Sequence, residues 1–253
     1  HLLPALQGVD LEIPALCKVA FCGRTGCGKS SLLGVLTRLY PLTGGRIVID
    51  GHDISAIPLT LLRRALSVVS QDAFLISGSI FENLLPIACS SSSGPEAHAD
   101  VCWHVLAKVG MAERIQAVGG LQYHVQEGGA NFSVGERQLL TLARALLSHT
   151  RASTEGTSVR SWRPPCILLA DEATASVDLV ADGQIHDVLL GLDSTLVMVC
   201  HRLQYIQRFG LVAVLESGKV AECAPPKELL VREPSSQLKA LCVQAGILND
   251  SML

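Results

Sequence analysis

The sequence predicts an α/β fold: a core with a mainly parallel sheet, an antiparallel strand segment, and an inserted helical lobe. Three observations predict it. Apolar runs of strand length alternate with helix-period segments towards both ends of the chain, the pattern of parallel βαβ units. A glycine-rich turn lies between a strand and a helix. From about Ile76 to about residue 150 the pattern turns helical.

Taken in order, "CKVAFCG" (Cys17 to Gly23) is an apolar strand running into the glycine-rich turn, and "KSSLLGVLTRLY" follows with helical spacing, ending near Pro41. "GRIVIDG" alternates as a strand, "PLTLLRRAL" is a helix with proline at its first turn, and "LSVVSQ" is another strand. In the lobe, "PEAHADVCWHVLAKVG" ends on Gly110 as a helix C-cap does, and a shorter helix follows. Beyond it, "CILLADE" and "STLVMVC" are buried strands on either side of the amphipathic helix "VADGQIHDVLLGL". "LVAVLESGKVAEC" is a hairpin turning at Ser217-Gly218, and a last helix runs through "SSQLKALCVQAG". The expected organisation is one domain over 1–253. Its core is drawn from about 1–75 and 165–225, its helical subdomain spans about 76–150, and its C-terminal helix lies within about 226–247. "CSSSSGPE" and the polar tract at about 149–165 are expected to be flexible insertions.

Composition narrows the function classes. A chain of 253 residues that is 49% hydrophobic and 17% charged buries a sizeable core. The net charge of −3, without a long basic run, gives no support to binding along a nucleic-acid backbone. No apolar stretch approaches the roughly 18 to 20 residues of a membrane span. The abrupt start at "HLLPALQG", without an initiator methionine, reads as a piece of something longer. The nine cysteines form neither a C-x-x-C pair nor a metal-spaced cluster, and their odd number fits a reducing cytosol.

"GRTGCGKSS" matches G-x-x-x-x-G-K-[ST] from Gly23 to Ser30, placed between strand and helix as that motif requires. Gly23, Gly26 and Gly28 let the backbone curl so that its N–H groups face a polyphosphate. Lys29 puts a charge on the terminal phosphates, and the Ser30 hydroxyl suits Mg²⁺. Candidate nucleotide contacts are therefore Gly23, Arg24, Thr25, Gly26, Cys27, Gly28, Lys29, Ser30 and Ser31. Asp171 and Glu172 end a buried strand: the first carboxylate suits Mg²⁺, and the second suits polarising an attacking water. His201 follows the next apolar strand. "NFSVGERQLLTLARALL" carries two readings. Ser133 and Glu136 make a capping box, and Ser133 with Gly135 also stands where a helix start receives an anion.

The ordered set "GRTGCGKSS", Gln71 in "VVSQDAF", "SVGERQ", "ILLADEATASVD" and "VCHRL" resembles the nucleotide-binding domain of ATP-binding cassette (ABC) transporters over nearly the whole chain. "FLISGSIFENLLP", "VQEGGANFSVGERQLLTLARALL" and "DEATASVD", with Glu172 intact, resemble the second, C-terminal domain of the multidrug-resistance-associated subfamily. The resemblance implies the ABC ATPase fold, ATP and Mg²⁺, and catalytic roles for Glu172, His201, Lys29 and Gln71. It implies Ser30, Gln71 and Asp171 as Mg²⁺ ligands, with Asp171 and His201 also on the nucleotide. Ser133, Gly135 and Asp178 would act in trans on ATP held by a second nucleotide-binding domain stacked head to tail. The transmembrane domains of the same transporter are further implied partners, nucleic acid is not, and this domain is placed at the cytoplasmic face of the membrane. Phe132-Ser133-Val134-Gly135-Glu136 departs from the frequent Leu-Ser-Gly-Gly-Gln: glutamate at 136 adds a negative charge near a phosphate. The aromatic residue that stacks on adenine in the family lies upstream of this sequence.

The expected function is an ATPase powering export. The rival is a regulatory module of a channel-like member, in which nucleotide sets a conformation and turnover matters little. A cassette ATPase acting on DNA or ribosomes is disfavoured by the lack of a basic face and of a long coiled-coil insertion.

Overall fold

In the computed structural model, residues 4–85, 96–154, 167–171, 173–174, 177–232 and 236–247 are described. In chain order they form β1 (Lys18–Cys22), α1 (Lys29–Leu36), β2 (Val48–Ile49), β3 (His52–Asp53), α2 (Leu59–Ala65), β4 (Leu66–Val69) and β5 (Gly78–Ser79). Next come α3 (Ile80–Leu84), α4 (Glu96–Lys108), α5 (Ala112–Val118), β6 (His124–Val125), α6 (Val134–Thr154), β7 (Ile167–Asp171) and α7 (Leu179–Leu190). The chain ends with β8 (Thr195–Val199), β9 (Leu211–Glu216), β10 (Lys219–Ala224), α8 (Pro226–Val231) and α9 (Gln237–Gln244). The α/β class and the mainly parallel sheet are as the sequence predicts. The chain divides into two compact units.

The first unit comprises 1–66, 164–172 and 193–253. Its sheet runs β10-β9-β1-β8-β7. β1 pairs in parallel with β8 and with β9, β7 pairs in parallel with β8, and only β10 runs antiparallel, to β9. The central strands are apolar along their length because both faces are covered: Val19, Ala20, Leu168, Leu169, Leu196 and Val199 have no exposed surface. Register sets the site. Asp171 pairs with Val199 and Phe21 pairs with Val199, so the carboxyl ends of β7, β8 and β1 stop at one edge. In parallel sheets that edge is where ligands bind. The β9–β10 hairpin turns at Ser217 (φ 49°) and Gly218 (φ 79°), the two left-handed residues of a type I′ turn.

Several elements differ from the sequence expectation for physical reasons. α1 stops at Leu36, well before Pro41: the Thr37 hydroxyl donates back to the Leu33 and Gly34 carbonyls (3.0 and 3.2 Å), and Arg38 turns left-handed at φ 52°. "GRIVIDG" yields only the two-residue β2, because Asp50 (φ 47°) and Gly51 (φ 78°) fold it back onto β3 as an antiparallel pair. One helix was expected within 226–247; two are present, and the second starts at a new cap where the Ser236 hydroxyl accepts the Lys239 N–H (3.1 Å).

The second unit comprises 67–163 and 173–192 and is mainly helical. α4 ends in a Schellman arrangement: Met111 N–H reaches the Leu106 carbonyl (2.8 Å), Gly110 N–H reaches that of Ala107 (3.0 Å), and Gly110 sits at φ 73°. Ser79 and Glu82 form a reciprocal capping box on α3. Leu84, Cys102, Leu106, Ile115, Leu140, Leu142 and Leu147 form its apolar interior. α6 runs through Thr154, six residues into the tract expected to be a flexible insertion. The rest of that tract, and all of "CSSSSGPE" but Glu96, lies outside the described residues.

Candidate functional site

The loop from Gly23 to Gly28 leaves β1 and enters α1 through three left-handed glycines, at φ 146°, 82° and 108° for Gly23, Gly26 and Gly28. At Gly23 a Cβ would run into the Leu215 carbonyl, and at Gly28 it would stand 2.7 Å from the Ala5 carbonyl oxygen, so neighbouring backbone as well as φ requires glycine there. Gly218 N–H donates to the Cys27 carbonyl (3.0 Å) and Gln7 N–H donates to the Gly218 carbonyl (2.7 Å), which fastens the loop to the hairpin turn and to the N-terminal segment.

Lys29 is buried, at 5% exposure, and a buried ammonium needs partners. Its Nζ donates to the carbonyls of Gly23 (2.9 Å) and Arg24 (3.1 Å) and lies 3.8 Å from Cys27 Sγ. The charge is thus folded into the middle of the loop. Ser30 is exposed, and its hydroxyl donates to Asp171 Oδ1 (3.3 Å), so the first turn of α1 and the end of β7 present two oxygen ligands side by side. Ser31 follows, half-buried. Burial pushes the Cys22 thiol up to about 12, with Cys242 and Cys27 adding to it and Lys29 opposing. His201 is exposed just beyond β8 and lines a cavity of about 510 Å³ with Gly23, Arg24 and Thr25. A second cavity, of about 360 Å³, lies between the loop, the hairpin turn and α9.

The second unit holds the other predicted residues. Gln71 is exposed just past β4. The capping box at the start of α6 is present in both directions: Glu136 N–H donates to Ser133 Oγ (3.1 Å), and Ser133 N–H donates to Glu136 Oε2 (2.8 Å). Its other oxygen, Oε1, accepts from Arg114 Nε (2.8 Å). Burial raises the Glu136 pKa, but the hydrogen bonds from Arg114 and Ser133 and the Arg114 charge outweigh it, and the net direction is down. Asp178 caps α7 by accepting Val180 and Ala181 N–H on Oδ1 (2.9 Å each), and its Oδ2 lies 3.9 Å from where a Cβ on Gly135 would be. Glu172 lies outside the described residues.

The structure therefore brings Ser30 to Asp171, Lys29 into its own loop, and Gly135 to Asp178. Sequence reasoning missed three supports. Arg114 gives no local signal, standing 22 positions from its partner. Buried Gln138 donates through Nε2 to the Ser70 carbonyl (3.0 Å), next to Gln71. Asn131 ties the loop before α6 by accepting Gln126 N–H (3.0 Å) and donating to the His124 carbonyl (2.9 Å). A polar residue inside the apolar run was the signal available for Gln138.

Residues 6–152 match the family described as ABC transporter. The chain belongs to that family. This ABC cassette is 37% identical over 228 residues to human ATP-binding cassette sub-family C member 2, covering 89% of the chain and 13% of that protein. It is 38% identical over 253 residues to ABC transporter C family member 3 of Dictyostelium discoideum, covering 99% of the chain and 16% of that protein. Its fold matches the structure of a bacterial Atm1-family ABC exporter with ATP bound, with a TM-score of 0.80 and 29% identity over 97% of the chain and 39% of the other. The chain thus spans 13% to 16% of the length of these two curated relatives. As an ABC transporter ATPase domain the cassette binds and hydrolyses ATP. Among the described residues no helix is long and apolar enough to cross a membrane.

Proposed function

We propose that this cassette powers export across a membrane by working head to tail against a second cassette, as the counterpart of the C-terminal cassette of multidrug-resistance-associated transporters. It would lie on the cytoplasmic side, joined to transmembrane domains of the same transporter. The observation that carries the reading is the reciprocal cap at Ser133. Ser133 Oγ is used as an acceptor by Glu136 N–H, which leaves the hydroxyl proton to donate outward. The first-turn N–H groups of Val134 and Gly135 have no acceptor within the helix. A 21-residue helix adds its positive end. That is an anion receiver additional to the phosphate loop, and the facing cassette's ATP is the anion it fits.

In its own loop, Lys29 would exchange its contacts to the Gly23 and Arg24 carbonyls for terminal phosphate oxygens, neutralising charge as it develops. Glu172 would take the proton of the attacking water while His201 holds that water and the terminal phosphate in line, and Asp178 would complete the facing half-site. The paired oxygens of Ser30 and Asp171 form a hard, oxygen-only donor pair that fits Mg²⁺. When bound, Mg²⁺ supplies a Lewis acid that offsets the polyphosphate charge.

The test is ATP turnover and substrate flux by the intact protein, wild type against Lys29→Ala and Glu172→Gln. Lys29→Ala should lose ATP-dependent turnover. Glu172→Gln should still bind ATP but turn it over about 10² to 10⁴ times more slowly, the usual contribution of a general base. Flux that survives in Glu172→Gln would sink the motor reading in favour of a regulatory one. For the pairing itself, a cysteine at Ser133 should crosslink to one in the facing phosphate loop when ATP and magnesium are present; no crosslink would end the head-to-tail arrangement.

A further inference from the structure

Arg114 has no part in the roles given so far. It stands on α5, its Nε donates to Glu136 Oε1 at 2.8 Å, and its guanidinium lies 6.0 Å from the centre of the Phe132 ring. Phe132 is itself buried and meets Tyr123 edge-on, with ring centres 6.1 Å apart. One carboxylate therefore does two jobs with one oxygen each: Oε2 closes the cap on Ser133, and Oε1 holds Arg114.

The double use resolves a conflict. A carboxylate in the first turn stabilises a helix through the same positive end that attracts a phosphate. Glu136 and an incoming polyphosphate thus compete for one field, and at a separation of about one helical turn they repel each other. A glutamine at 136 would keep the acceptor for Ser133 N–H without the charge. The glutamate found here needs a counter-charge. Protonation does not provide it, since the Arg114 and Ser133 hydrogen bonds hold the carboxyl below its ordinary range against the opposing effect of burial. The guanidinium provides it, in a pair that is half shielded from water: the side chains are 43% and 24% exposed for Arg114 and Glu136. Arg137, the neighbouring cation, is turned back towards the Phe132 carbonyl (3.4 Å).

We propose that Arg114 is a positioning residue for the anion receiver at Ser133–Gly135: by binding Glu136 through Nε it cancels the carboxylate's charge and holds it against Ser133 N–H, so that the terminal phosphate of the facing ATP is accepted there. The inference rests on the pairing of cassettes proposed above.

The experiment is a two-by-two comparison in the intact protein, Arg114→Ala and Arg114→Gln each in a wild-type and in a Glu136→Gln background, reading KM for ATP, kcat and melting temperature. Arg114→Gln keeps an apolar stem over Phe132 and guards against a folding failure. In the wild-type background the KM should rise about ten-fold, equivalent to about 1.4 kcal/mol, with kcat nearly unchanged. Added salt should shrink the rise by screening the exposed carboxylate. In the Glu136→Gln background the same changes should leave KM within about two-fold, because no charge remains to be cancelled. Equal KM shifts in both backgrounds, or none in either, would overturn the role of Arg114. Ser133→Ala in the same assay separates the two ideas: with unaltered KM it would sink the facing-site reading itself, whereas an impaired Ser133→Ala beside equal Arg114 shifts would sink only the positioning role.

Discussion

Replacing Gly135 with alanine separates what the fold needs at this position from what the site needs. Gly135 is the second residue of α6 and its φ lies outside the left-handed region. An added methyl would stand 3.4 Å from Ala181 Cβ and 3.9 Å from Asp178 Oδ2, which is ordinary van der Waals contact. Glycine costs a helix interior about 0.8 to 1.0 kcal/mol relative to alanine, and less in the first turn, so stability should hold or rise by up to about 1 kcal/mol. For a chain of this size that is a gain in melting temperature of no more than about 2 to 4 °C. The same methyl would cover the backbone N–H that a phosphate has to approach closely. Turnover in the intact protein should fall at least ten-fold, about 1.4 kcal/mol of lost interaction. The assay is thermal melting beside steady-state ATP hydrolysis on one preparation. A melting temperature lowered by more than a few degrees would refute the packing argument, and unaltered turnover would refute the anion receiver.

Gly218→Ala should do the reverse, harming the fold and the site together: its φ is 79°, and a Cβ would sit 2.6 Å from the Ala5 carbonyl oxygen. The left-handed conformation alone costs about 1 to 2 kcal/mol; a lower denaturant midpoint and weaker ATP binding, through the lost hold on Cys27, are the readouts. The Glu136 carboxyl is depressed in the folded state, so its stabilisation is present above the ordinary glutamate range and fades as pH falls through the lower, folded value. Glu136→Gln should therefore cost stability at pH 7 and progressively less below about pH 4, as paired denaturation curves would show. Cys22, fully buried and raised to about 12, should resist maleimide at pH 8 while exposed Cys223 is labelled, which peptide mass spectrometry would read.

The fold was legible wherever local chemistry decides it. Gly110 and Gly218 stopped a helix and turned a hairpin at the positions their residue types announced, and the buried strands Ile167–Asp171 and Thr195–Val199 lie in parallel register. The Ser133–Glu136 cap was also legible, because a reciprocal pair three residues apart is a local object. Where a helix stops through a side chain folding back, as Thr37 does, periodicity carries no warning. The partners of site residues were least legible. Arg114 and Gln138 reach Glu136 and Ser70 across long stretches of sequence, and no spacing rule connects them. The charge at 136, where the family frequently has glutamine, is answered by a residue on another helix.

The bond from Gln138 to the Ser70 carbonyl has a mechanical consequence. Gln138 lies little more than one turn into α6, the helix that Ser133 begins, and Ser70 is the residue immediately before Gln71. A buried donor without its acceptor is expensive, so the two move as one body or the bond must be replaced. Any push that displaces the backbone at Ser70 and Gln71 is therefore delivered to the start of α6, over a distance of a few side chains and with no loop in between to absorb it.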